Sequence, residues 1–137
     1  VSDRYRGLAF ATAMKFGLTV AGGTDAHRVS SYNPFVALQW YLDGTDIGGT
    51  PTRYDAEALS RRQALEMYTL SSAFMAHDDN KLGTLEADKF ADFVLSADYL
   101  TAPVPEIGKI KSLLTMVGGK VVYASGPFAD LVAGTSR

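Results

Sequence analysis

The sequence predicts an α/β chain whose second half is mostly β, and three observations predict it. A helical repeat, one glycine and an apolar run follow one another near the start, which is half of a βα repeat. Two more helices are announced by their opening residues, Asn33-Pro34 and Ser60. Beyond His77 the pattern changes to short apolar runs between turn residues, ending in two runs joined by Gly118-Gly119.

Each element has its own reason. Tyr5, Leu8, Ala9, Thr12 and Phe16 recur at helical spacing, so residues 3–16 are expected as a helix. Ser2 or Asp3 suits its N-cap, and Gly17 suits a left-handed end. Residues 18–21 follow as a short buried strand, with a loop at its carboxyl end, where α/β folds keep their sites. In 33–42, Asn33 caps, Pro34 fits the first turn, and Phe35, Leu38 and Leu42 share a face. Residues 43–55 read as loop, glycine-rich and too polar for the core. Ser60 and Gln63 have the spacing of a capping box, which opens a helix running to His77. Leu65, Tyr68, Ser72 and Met75 fall on one face of it, and its serines and Ala73 let a neighbour approach closely. His77 is expected to cap its end by charge and hydrogen bond. Residues 90–95 read as a strand, 102–110 as an extended linker with two prolines, and 113–117 with 120–124 as a hairpin.

The bulk numbers narrow the class. The 137 residues suffice for one domain with a core, and 47% hydrophobic with 20% charged residues is ordinary for a soluble globular chain. A net charge of −2 offers no broad basic surface to nucleic acid or an anionic membrane. No apolar run approaches the roughly 20 residues that span a bilayer. The absence of cysteine removes disulfides, thiolate metal sites and cysteine nucleophiles together; it fits a reducing compartment, and a cytoplasmic location is expected. The first residues carry neither an apolar signal core nor an initiator Met, so the chain is expected to be a piece or a processed product of something longer.

Chemistry concentrates in one stretch, "LTVAGGTDAHR" at 18–28. An Asp just past a buried strand is poorly solvated and wants a cation or several N–H donors. Asp25 therefore has two readings: a loop cap bonding the amides of residues 26–28, or a metal-ligand or general-base carboxylate. His27 is a second ligand, a substrate contact or a polar loop residue. Asp-x-His alone is no complete metal site, since catalytic zinc takes about three protein ligands plus water.

Several stretches, in order along the chain, resemble the C-terminal part of metal-dependent amidohydrolases, more narrowly the amidohydrolase-3 branch. "GLTVAGGTDAH" resembles the eighth barrel strand and its Asp-bearing turn, with Thr24 in place of the commoner Ser. "NPFVALQWYL" resembles the helix after it, and "SRRQALEMYTLSSAFM" the Arg-rich start of the next. "LGTLEADKFADFVLSAD" resembles the entry into the small β-sandwich that accompanies these barrels, with Asp88 where the pattern has Gly. Asp tolerates a left-handed backbone less well than Gly. Asp92 is expected to fix the turn into the strand by side-chain-to-backbone bonds. "VGGKVVYASG" resembles the closing hairpin.

The resemblance implies the last β/α unit of a TIM barrel over residues 1–77, followed by strands of the accessory β-sandwich over 78–137. It implies hydrolysis of non-peptide C–N bonds through a metal-activated water. Asp25 then becomes a metal ligand and the catalytic proton shuttle, and His27 a substrate contact. The cofactor implied is a divalent metal, zinc, as one or two ions, and the partner is a small-molecule substrate. The family's other metal residues, a His-x-His pair, a bridging Lys or Glu and two later histidines, sit earlier than this chain reaches, and a full barrel needs about 250 residues. The expected molecule is a fragment inactive by itself, associating with the remainder of its parent chain or with copies of itself. The alternatives are one chain of a split hydrolase and a non-catalytic binding or oligomerising module.

Overall fold

A computed structural model describes residues 7–26, 31–46 and 48–133. Helices α1 (Phe10–Lys15), α2 (Pro34–Asp43), α3 (Arg61–Tyr68) and α4 (Leu70–Met75) precede strand β1 (Phe93–Ser96). Helix α5 (Val104–Ile107), strands β2 (Ser112–Val117) and β3 (Lys120–Ala124), and helix α6 (Asp130–Ala133) complete the order. The three strands form one antiparallel sheet in the order β1-β2-β3.

Ala11 of α1, Leu38 and Tyr41 of α2, Ala64 and Met67 of α3, and Ile107 of α5 meet in one apolar core with Leu59, Tyr99 and Ile110. The helix starts follow the sequence. Asn33 accepts from the Phe35 amide at 3.0 Å with Pro34 in the first turn, and Gly44 closes α2 with φ 63°. The capping box forms: Ser60 caps the Gln63 amide while the Gln63 side chain accepts from Ser60 N–H at 2.9 Å.

Several expectations are corrected. Residues 18–21 form no strand: among the described residues no neighbouring strand offers a ladder, and Leu18 stays 62% exposed. The expected cap residues Ser2 and Asp3 lie outside the described residues, and α1 begins at Phe10; its first turn is held by Glu57, which accepts from the Thr12 amide at 2.9 Å and from the Thr12 hydroxyl. The helix from Ser60 breaks at Thr69 (φ −118°, ψ −85°), whose hydroxyl bonds back to Leu65 O at 2.9 Å. Within α3 the buried face is that of Ala64 and Met67, which leaves Leu65 exposed; beyond the break Ala73 is buried and Met75 exposed. The close approach expected at Ala73 does occur: a Cβ on Gly83 would lie 2.9 Å from Ala73 Cβ.

His77 ends α4 through its backbone, with φ 60° and its amide on Phe74 O at 3.0 Å; the side chain is exposed. The loop after α2 is not wholly polar surface, since Arg53 is only 9% exposed. The proline-bearing linker contains α5, because Pro103 and Pro105 hold φ values that suit a helical start, and it buries Ile107 completely.

The hairpin forms as expected, with φ 57° at Gly118 and 76° at Gly119. In the sheet Leu95 pairs with Leu114, and Leu114 with Ala124. Asp92 does bond side chain to backbone, but it reaches across the sheet to Gly118 N at 2.5 Å and so ties the approach to β1 to the hairpin turn.

Candidate functional site

Gly22 and Gly23 are fixed from two sides. From α2, the Tyr41 hydroxyl accepts from Gly23 N–H at 3.0 Å and donates to Gly23 O at 3.1 Å. From the α3–α4 junction, Met67 O accepts the Gly22 amide at 2.9 Å, and the Ser72 hydroxyl lies 2.9 Å from the same carbonyl and 3.2 Å from Gly22 O. The break at Thr69 therefore serves the turn, because it places a backbone carbonyl and a hydroxyl where the end of 18–21 arrives. Gly22 packs tightly on that side chain: a Cβ there would lie 3.0 Å from Tyr41 Oη and 3.1 Å from its ring, so the ring would have to give by a few tenths of an ångström. A Cβ on Gly23 would meet nothing within 4 Å.

Asp25 follows with φ 59°, the left-handed region, and is exposed. Among the described residues two other non-glycine residues share that region, each in a hydrogen-bonded turn: His77 at the end of α4, and Asp88, where Lys89 N reaches Glu86 O at 3.3 Å. Among the described residues the Asp25 carboxylate accepts no hydrogen bond and no turn bond closes around it. A non-glycine residue held there costs up to about 1–3 kcal/mol, less for Asp than for most, and its surroundings must offset that cost.

The poor solvation expected of Asp25 is not found: Asp25 is exposed, and no strand flanks residues 18–21 among the described residues. His27 lies outside the described residues. Among the described residues no group of three or more His, Cys, Asp or Glu side chains is placed to hold a metal ion. Asp25 offers a single donor, so the described residues do not by themselves fit a metal centre.

An open hollow of about 860 Å³ lies beside this turn, with Gly23, Thr24, Val36 and Trp40 among the residues that line it. Asp43, also on its wall, is already engaged, accepting from Thr45 N at 3.0 Å and Gln39 Nε2 at 3.2 Å. Burial raises the Tyr41 pKa, so the phenol stays protonated and keeps both its donor and its acceptor role.

Sequence reasoning missed Tyr41 and Arg53. Tyr41 lies three residues beyond Leu38, on the buried face of α2, and that spacing was the available signal. Arg53 donates Nη1 to Trp40 O at 3.0 Å and Nη2 to Tyr41 O, closing the α2 end that carries Tyr41. Arg61 plays a parallel part, reaching Tyr99 O and Ala102 O at 2.5 Å each.

The model of the amidohydrolase family matches residues 5–123. Over 118 residues the chain is 25% identical to YtcJ of Bacillus subtilis, an amidohydrolase by name, covering 84% of this chain and 22% of that protein. Over 108 residues it is 29% identical to the N-substituted formamide deformylase of Arthrobacter pascens, covering 78% of this chain and 20% of that enzyme. The crystal structure of an amidohydrolase from Thermotoga maritima aligns with a TM-score of 0.58 at 18% identity, over 85% of this chain and 26% of the other, a likeness of fold alone. The chain thus spans about a fifth of the length of the curated relatives it matches.

Proposed function

This chain belongs to the amidohydrolase family, and we propose that it is the C-terminal part of a hydrolase of non-peptide C–N bonds, to which it contributes the Asp25 carboxylate. N-substituted formamides, the substrate class in one relative's name, are the first compounds to try. The carrying observation is the pairing of a firmly held turn with an uncommitted acid: four backbone polar groups of Gly22 and Gly23 are bonded, while the carboxylate two residues on has no partner among the described residues.

In this reading one Asp25 oxygen takes the proton of the attacking water as its oxygen adds to the carbonyl carbon. The same oxygen returns the proton to the nitrogen as the C–N bond breaks, leaving an amine and a carboxylic acid, which then gives up its own proton to solvent. A divalent cation, zinc by resemblance, would take its further donors from outside the described residues. His27, two positions on, is assigned to the substrate. Residues 1–77 are assigned to the end of the barrel and 78–137 to its accessory sandwich. Phe16 and Leu18, 80% and 62% exposed, are assigned to contact with the rest of the parent chain; left bare, they would promote self-association.

The test is Asp25→Asn in the full-length protein, assayed on N-substituted formamides. Turnover is expected to fall by about 10²–10⁴-fold, the usual worth of a positioned acid–base group, with thermal unfolding unchanged. Activity within a few-fold of the unmutated protein would refute the assignment.

A further inference from the structure

We propose that Tyr41 is the positioning residue of the Asp25 turn, its phenol clamping both polar atoms of Gly23 and so setting where the acid leaves the scaffold. The proposal rests on the reading of Asp25 given above. Three observations carry it. The hydroxyl makes both of its bonds to one residue, Gly23, at 3.0 and 3.1 Å, and that residue stands two positions before Asp25. The ring is itself immobilised: Tyr41 is 3% exposed, and its centroid lies 5.3 Å from Trp40, 5.8 Å from Phe10 and 6.5 Å from Tyr68. Gly22 is shaped to the same ring, since any side chain there would meet the phenol.

Phenylalanine would keep this packing and lose only the clamp. Gly23 N–H and C=O would lose their partner, and among the described residues the hydrogen bonds left to the turn would be those of Gly22 to Met67 and Ser72. A carboxylate displaced by about 1 Å from its working position loses on the order of 10²-fold in rate. Substrate binding through other parts of the site is untouched, so the loss falls on kcat rather than KM.

The experiment compares Tyr41→Phe with Asp25→Asn in the full-length protein, measuring kcat and KM on an N-substituted formamide and deuterium uptake by peptides covering 22–26 and α2. The expected result is a fall in kcat on the order of 10–100-fold with KM near its original value. Uptake should be faster at 22–26 and unchanged in α2. Ser72→Ala should act in the same direction but less strongly, because Gly22 keeps its bond to Met67. If Asp25→Asn is inactive and Tyr41→Phe turns over at the original kcat, the clamp is refuted while the Asp25 reading stands. A kcat loss accompanied by faster uptake throughout α2 also refutes it, as that would be loss of fold. If Asp25→Asn is itself active, the reading of Asp25 fails and this proposal falls with it.

Discussion

Replacing Arg53 by alanine should destabilise the chain by about 2 kcal/mol, and the structure supplies the working. The last carbonyls of a helix have no partner within it. In α2 Trp40 O has two donors, the Gly44 amide at 2.9 Å and Arg53 Nη1 at 3.0 Å, so it survives the loss of one. Tyr41 O has Arg53 Nη2, and in the variant that carbonyl is stranded in a buried place. One hydrogen bond to a charged donor is worth about 1.5–3 kcal/mol. The guanidinium also lies 5.9 Å from the centroid of the Trp40 ring, which adds about 0.5–1 kcal/mol. Desolvation acts the other way: burial pushes the Arg53 pKa down, which marks a cost of keeping the charge there, so the lower part of the range applies. For the 137-residue chain unfolding by itself, a loss of about 2 kcal/mol corresponds to roughly 6–8 °C in Tm, and for a longer protein to less. Urea unfolding followed by circular dichroism should show a lower midpoint at unchanged m. Arg53→Lys, which keeps the charge but not the two-pronged geometry, should fall between. A change below about 0.5 kcal/mol for the alanine variant would put Arg53 among ordinary surface residues and refute the reasoning.

Two further outcomes follow from local chemistry. Asp88→Gly should stabilise the chain by about 0.5–1 kcal/mol in the same urea experiment, because Asp88 is held at φ 68° where only glycine is unstrained; a destabilised variant would mean that the Asp side chain contributes more than the strain costs. Glu57 should give the fold an acid limb: the Thr12 hydroxyl, then the Thr12 amide, hold its carboxyl below the ordinary value of 4.5, so its stabilisation is complete above that pH and is lost as pH falls through the lower folded value. Glu57→Gln should flatten that limb in acid unfolding curves, and an unchanged curve would show that the α1 contact contributes nothing.

What the sequence reveals and what it hides divide along a physical line. Caps and tight turns depend on a few adjacent residues, so Asn33-Pro34, the Ser60–Gln63 box and the Gly118-Gly119 hairpin were legible and form as read. The strand at 18–21 failed for the opposite reason: an apolar run becomes a strand only when a second run pairs with it, and none does among the described residues. The long helix from Ser60 failed because one threonine hydroxyl back-bonds to Leu65 O, and periodicity does not register a break of that kind. The substitution at Asp88 was legible as a departure from pattern, and the backbone adopts the left-handed geometry of the missing glycine regardless.

The site shows the same division within four residues. "GGTD" told where an acid leaves the scaffold, but not why both glycines are there. A Cβ on Gly22 would press on a tyrosine 19 positions away, while a Cβ on Gly23 would meet nothing within 4 Å. What fixes Gly23 is its amide and carbonyl, and those bonds are invisible to composition and spacing. Arg53 closes the end of α2, α2 carries Tyr41, and Tyr41 holds the residue two before Asp25. Each step of that chain is a bond to backbone, which a sequence pattern leaves unmarked. An exposed carboxylate, unpartnered among the described residues and two positions past a residue held from α2, is what a scaffold needs in order to present an acid to something outside itself.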